Sequence, residues 1–310
     1  MNRYDERDTI FSRLELQKGS SEYDDYYQRH PERQILDDAA RERAVSQTFT
    51  DHIMHRVSVD ASFSLLEALR PLACGTKAEK RLTLDPTEAS EFLINLAKSY
   101  GAVLVGTAPL GEACFYTVRG RGKEYGQPVN PPGKNGIVFA VHMNPEEIHF
   151  APTPRSSAEV VNAYSRLALM GLIIAQTIRA WGWDATCTMD GRADLVLPVA
   201  ARYAGLGSIG RSGLLLSDDH GPCIRLGAVV TNLPLKRSER QPAKANKLCA
   251  SCNRCAEACP AKAIDEGFYQ DDSFQPVNDD ACFIQWQKNG TDCGLCLSHC
   301  PLSRIPKKER

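Results

Sequence analysis

Eight of the twelve cysteines lie between Cys249 and Cys300, with the spacing of metal ligands rather than of disulfide partners. Cys249, Cys252, Cys255 and Cys259 follow C-x2-C-x2-C-x3-C, with Pro260 next. Bacterial ferredoxins use this run to hold two 4Fe-4S cubes, three thiolates on one cube and the fourth reaching across to the other. Cys282, Cys293, Cys296 and Cys300, followed by Pro301, repeat the theme as C-x10-C-x2-C-x3-C, with a long loop in place of a short one. The pseudo-repeat implies two clusters. The crossing rule assigns Cys249, Cys252, Cys255 and Cys300 to one cluster and Cys259, Cys282, Cys293 and Cys296 to the other. Paired tetrahedral zinc sites are the alternative, but zinc ribbons rarely need four cysteines in a run closed by Cys-Pro on both sides. Clusters in series imply an acceptor, which the residues upstream are expected to contain.

A second motif lies upstream of the cysteines. Gly205, Gly207 and Gly210 satisfy G-x-G-x-x-G. A dinucleotide site would need a strand before this loop, a helix after it and an acid ~20 residues further on. Here PVAARYA reads as helical, Ser212-Gly213 interrupts any following helix, and no acid stands at the expected place. The glycines therefore suggest backbone that approaches a flat or polar ligand closely. Asp218 and His220 match part of the D-x-H-x-x-G pattern by which some proteins ligate cobalamin cobalt, but Cys223 ends the pattern where glycine is required. His220 is expected to be a loop residue.

The elements that must position these groups read as mixed α/β. Hydrophobic residues make up 43% of the 310 and charged residues 24%, which suits a soluble globular chain of two unequal domains. The net charge of -1 gives no broad attraction to nucleic acid or to a membrane surface. Residues 1–60 form a polar arm in which Phe11, Leu14, Tyr23, Tyr26 and Tyr27 offer apolar area to wrap a globular body. Residues 61–240 carry helices near Ser62–Leu69, after Asp85-Pro86 as far as Ser99, and over Ala158–Trp181. Strands are expected at 101–108, 135–143, 185–189 and 226–235. The stretch 241–247 reads as a linker, and 241–310 is the ferredoxin-like domain. The apolar stretch Leu167–Ala175 is far shorter than the ~20 residues of a spanning helix, and the charged N-terminus lacks a secretory signal. A cytoplasmic location is the expectation.

Several stretches together resemble the corrinoid and iron-sulfur reductive dehalogenases, and more distantly epoxyqueuosine reductase. They are GAVLVGTAPL at 101, IVFAVHMNPEEI at 137, AYSRLALMGLIIAQTIRAWGWDA at 163, LPVAARYAGLGSIGRSGLLLSDDHGP at 197, LGAVVTNLPL at 226 and both cysteine sets. The N-terminal IFSRLEL and YDDYYQRHPE are similar to that family too. The resemblance covers most of the chain. It implies a nitroreductase-like domain holding a base-off corrinoid (cobalamin), with Ala204, Gly205, Leu206, Gly207, Ser208, Gly210 and Arg211 in its cradle. Asp190, where an asparagine is usual, joins them.

In that family the clusters reduce cobalt, and a tyrosine at the position of Tyr164 supplies a proton as the carbon-halogen bond breaks. A tyrosine hydroxyl, with an ordinary pKa of ~10, is protonated at neutral pH, and a nearby cation stabilises the phenolate it leaves. Cys223 stands where the family's first arginine is expected, so Arg225, two residues on, becomes the candidate cation. A halogenated organic substrate and an external ferredoxin or flavodoxin donor follow from the resemblance. An epoxyqueuosine-type enzyme acting on tRNA would want a basic surface, yet residues 241–310 carry nine basic and nine acidic side chains. A non-catalytic electron-transfer or corrinoid accessory protein is the third reading.

Overall fold

The structure is a computed structural model that describes residues 3–43, 53–239, 245–267 and 277–303. Three helices come first. Thr9 and Ser20 cap α1 (Ile10–Glu15) and α2 (Ser21–Arg29) through their hydroxyls, and Pro31 starts α3 (Pro31–Glu42). The tyrosines of the expected arm form a small core with Leu16, and Tyr125 of the body packs against it. Tyr26 and Tyr27 meet edge to face with ring centroids 5.2 Å apart, and Tyr23 packs on Tyr27. Arg13, 1% exposed, donates to the Asp37 carboxylate at 3.0 Å, and the Tyr27 hydroxyl donates to the same oxygen at 2.9 Å. The segment is fastened to the body by Glu6, which accepts from the Gly120 N–H at 2.8 Å and from Arg121 Nε at 3.1 Å. Helix α4 (Ile53–Leu69) runs through residue 60, where composition placed the end of the arm, and packs against the central helix of the body.

Asp85 accepts the N–H groups of Thr87 and Glu88 at 2.8 and 3.1 Å, and Pro86 occupies the first turn, which fixes the start of α5 (Pro86–Ser99). Strand β1 (Leu104–Pro109) follows, then β2 (Asn135–His142), the short α6 (Pro145–Ile148) and the long α7 (Pro154–Ala180). Next come β3 (Ala185–Cys187), α8 (Leu197–Tyr203), the two-residue strands β4 (Ser208–Ile209) and β5 (Leu215–Leu216), and β6 (Ile224–Thr231). The main sheet has the order β1-β2-β6-β3, with every neighbouring pair antiparallel. Between its polar ends Asn135 and His142, strand β2 is apolar at every step because both of its faces are covered: Ile137, Phe139 and Val141 pack toward α7, while Val138 and Ala140 pack toward α8.

Expected and observed bounds differ at the ends of elements. Gly101, at φ +92, terminates the turn after α5, so β1 begins at Leu104 and not at 101. Thr153 and Ser156 form a capping box that carries α7 back to Pro154. By length and composition α7 passes as a membrane-spanning helix, but half of its most apolar window is buried in this fold, as in a core helix.

The C-terminal part consists of α9 (Ala245–Ser251), α10 (Arg254–Glu257), α11 (Asp279–Asn289) and α12 (Leu295–Ser298). Of the expected linker, residues 241–244 lie outside the described residues and the rest begin α9. The ten-residue interval between Cys282 and Cys293 is mostly helix rather than loop. Cys282 lies in the first turns of α11, whose end is set by Gly290 at φ +72.

Candidate functional site

All twelve cysteines are free thiols. Cys249, Cys252, Cys255 and Cys300 line one small cavity, bordered by Gly210 and Arg211. Cys259, Cys282, Cys293 and Cys296 line a second, much larger cavity of about 730 Å³, and Cys296 also reaches the first. These are the two sets that the ligand spacing separates. Backbone N–H groups point at the sulfurs: Arg211 donates to Cys249 Sγ and Ala263 to Cys259 Sγ, each at 3.3 Å. Burial first, then neighbouring thiols, push Cys255 and Cys282 up to about 11 and Cys296 up to about 12. Metal that binds here must displace protons. Among the described residues no three Cys, His, Asp or Glu side chains converge as the ligands of one ion would. In a cubane each iron takes its own thiolate, so the four sulfurs surround a volume rather than meet at a point.

The large cavity also collects the residues of the expected chemistry. Tyr164 enters from α7 and Arg225 from β6, and Asp190 lines the same space. The Arg225 guanidinium lies 5.6 Å from the centroid of the Tyr164 ring. Arg225 Nε is buried and has no hydrogen-bond partner among the described residues. Residues two apart on a strand share a face, so Arg225 projects on the side that also carries Cys223. Cys223 is fully buried; its thiol donates to the Met143 carbonyl at 3.3 Å, and burial pushes it up to about 12. Asp190 is held through its carbonyl, which accepts from Arg70 Nε at 3.1 Å.

Five residues of the wall were not placed there from the sequence. Asp292, beside Cys293, lines the cavity; burial pushes its carboxyl up, Arg225 pulls it down and Asp190 pushes it up again. Its one local signal is adjacency to a ligand cysteine. Phe11 and Glu15, from the N-terminal segment, form part of the wall with Phe63 of α4 and Arg121, and no spacing rule connects them to it.

The glycine loop differs from expectation. Ala204 and Leu206 are packed in the core on the α8 side of the sheet. A Cβ at Gly207 would strike the Leu216 carbonyl, and one at Gly210 would come within 2.7 Å of the Leu216 side chain. What these two glycines face within the chain is strand β5, paired to β4 with Ser208 opposite Leu216. Gly205, at φ +79, follows the end of α8 as a helix stop. Ala204, Gly205, Leu206, Gly207 and Ser208 do not line the large cavity; Gly210 and Arg211 line the small thiol cavity, while Ser212 and Leu214 reach the large one. Helix before and hairpin after match the sequence reading and are not the strand-loop-helix of a dinucleotide site. His220 lies between β5 and β6, its ring centroid 4.8 Å from that of His142. Burial, then His220 and Arg166, lower His142 to about 4.

Fold and site define a mixed α/β body closed against a cysteine-rich module, with one chamber shared between them. No family model matches the chain. It is similar to the tetrachloroethene reductive dehalogenase of Sulfurospirillum multivorans, 29% identical over 260 residues that cover 72% of this chain and 52% of the relative. The enzyme of that name from Desulfitobacterium hafniense is 28% identical over 270 residues, 70% of this chain and 48% of the relative. Epoxyqueuosine reductase of Lactococcus garvieae is 42% identical over 85 residues, 27% of this chain and 23% of the relative. Among solved structures, a catabolic reductive dehalogenase in complex with 3-bromo-4-hydroxybenzoic acid superposes with a TM-score of 0.77 and 21% identity. That match covers 100% of this chain and 43% of the other. At that identity it shows the fold alone. The chain spans about half the length of the curated relatives it matches first. The family resemblance read from the motifs is present in both comparisons.

Proposed function

We propose that this chain is an oxidoreductase of the reductive dehalogenase type, with two 4Fe-4S clusters and a corrinoid. The observation that carries the reading is the Arg225 cation over the Tyr164 ring, in the wall of a chamber whose other wall is a four-thiol set. Cys249, Cys252, Cys255 and Cys300 would hold one cluster and Cys259, Cys282, Cys293 and Cys296 the other. The clusters would supply low-potential electrons, and the corrinoid the cleavage of a carbon-halogen bond.

A volume of about 730 Å³ lies in the upper part of the range for small-molecule sites, ~300 to 1,000 Å³, and the buried Arg225 Nε has donor capacity to offer. Asp190, Ser212 and Leu214 would hold the corrinoid. Tyr164 holds a proton at its hydroxyl and delivers it to the carbon that loses halide, and the charge of Arg225 stabilises the phenolate that remains. Phe11 and Phe63 give the chamber an apolar stretch of wall. Eight cysteines crowded at metal-ligand spacing suit a reducing compartment, the cytoplasm, with a ferredoxin or flavodoxin as donor.

The test is chain reconstituted with iron, sulfide and cobalamin and assayed with reduced viologen and a halogenated phenol. The reading expects about eight irons per chain, a bound cobamide and halide release. Loaded clusters with no cobamide uptake would overturn the corrinoid part, and about two zinc atoms in place of iron would overturn the whole.

A further inference from the structure

We propose that His142 and His220 form a two-imidazole site for a divalent transition ion of the zinc type, outside the chamber and independent of the cysteine sets. His142 is the last residue of β2, and His220 belongs to the turn between β5 and β6. Neither lines the large cavity or the small one. Their ring centroids are 4.8 Å apart, with the planes inclined at 46°. His142 Nε2 and His220 Nδ1 are both buried, and neither has a hydrogen-bond partner among the described residues. A buried ring nitrogen without a partner is costly, and two on neighbouring rings are relieved together by one ion that both can reach.

An ion bound by two imidazoles lies about 2.0 to 2.1 Å from each nitrogen, which sets the ring centres roughly 5 Å apart. The observed spacing is of that size. Metal binding requires neutral imidazoles, and both rings are neutral beforehand. Burial, then His220 and Arg166, lower His142 to about 4, and burial lowers His220 against a smaller opposing pull from Asp219. Such nitrogens suit zinc, copper and nickel rather than magnesium or calcium, which prefer oxygen ligands.

Backbone contacts hold both rings in place. The His142 carbonyl accepts from Arg166 Nη2 at 2.8 Å, and the charge of Arg166 is answered by Glu159 at 3.4 Å. The His220 N–H donates to Ser217 Oγ at 3.1 Å, and its carbonyl accepts from the Cys223 N–H at 3.1 Å. Gly221, at φ +55, lies so close to Leu302 that a Cβ there would strike the Leu302 carbonyl. An ion on the two rings therefore clips the end of β2 to a turn that rests on the segment beyond Cys300. Among the described residues no third Cys, His, Asp or Glu side chain converges on the pair, so water completes the coordination and the ion stays exchangeable. His142 also lines an open cleft with Glu159 and Asn162, which gives that water room.

The experiment loads wild-type chain, H142Q and H220Q with iron and sulfide, dialyses each without oxygen against zinc chloride, and counts zinc and iron by mass spectrometry. Wild type should hold one zinc more than either variant, with equal iron in all three. Its melting temperature should rise with zinc while theirs does not. Because the readout is a difference between chains, zinc taken up by unfilled cysteines cancels, and the reading of the cysteine sets is not at stake. Equal zinc in all three chains overturns the proposal, as does a loss confined to one variant. If a variant fails to fold, wild type decides alone, followed by nuclear magnetic resonance of the imidazole nitrogens of its seven histidines. Zinc should shift the signals of two rings, and signals that stay in place overturn the site.

Discussion

Arg225 covers one face of the Tyr164 ring, with the guanidinium carbon 5.6 Å from the ring centroid. A cation over an aromatic face is attractive in itself, and the same charge favours a phenolate once the hydroxyl has given up its proton. Tyr164→Phe keeps the ring and this packing, so the variant should retain both metal content and thermal stability. Turnover should fall by about 10²- to 10⁴-fold, the usual worth of a positioned proton donor. R225M should fall comparably, and the double variant no further than the worse single one, because the two residues act as a unit. Additive losses measured by halide release would separate them.

Arg13 joins three parts of the chain. It is buried against Asp37 at 3.0 Å, donates to the Asp8 carbonyl at 2.6 Å and is paired with Asp280 of α11. R13M leaves Asp37 buried without its cation and should cost about 3 to 5 kcal/mol in denaturant unfolding. D280A removes a half-exposed partner and should cost about 1 kcal/mol or less. Equal losses in the two variants would contradict this ranking.

His142 is held neutral by burial, its pKa lowered from the ordinary 6.5 to about 4. The unfolded chain binds a proton there below pH 6.5 and the folded chain does not, so the contribution to stability is complete above pH 6.5 and is lost as pH falls toward 4. His142→Gln should flatten the acid limb of a melting-temperature profile between those values and leave the neutral plateau in place. An unchanged acid limb would assign the acid loss to other groups.

Gly207→Ala tests what the glycine loop is for. The added methyl meets the Leu216 carbonyl, so overpacking should lower stability by about 1 to 3 kcal/mol. Per folded molecule, cobamide binding in the chamber should be unaffected. A variant of unchanged stability that loses cobamide would restore the loop as a ligand cradle.

The strongly patterned elements were legible in the sequence. Asp85-Pro86 announced α5 through its cap, and the unbroken apolar run of β2 announced a strand covered on both sides. The crossing rule of the ferredoxin pattern groups the thiols as the two cavities do, except that Cys296 borders both. What the residues of the glycine loop approach was not legible. A glycine reports that something comes close without saying what, and here it is Leu216 of the same chain. Asp292, Phe11 and Glu15 reach the chamber by contacts whose partners lie far away in sequence, which no local periodicity encodes. Arg225 entered the sequence reading only through the family resemblance, and no local pattern announced its place over the Tyr164 ring.

The N-terminal segment has a consequence for when the chamber exists. Phe11 packs on Phe283 and Trp286, at 5.5 and 5.7 Å between ring centroids, and the Ala40 carbonyl accepts from Gln287 at 2.7 Å. These contacts join residues about 250 positions apart, so this part of the wall forms only when the two segments meet. While the N-terminal segment is undocked that side of the chamber stands open, so its seating on α11 is the step that shuts the door on the thiols behind it.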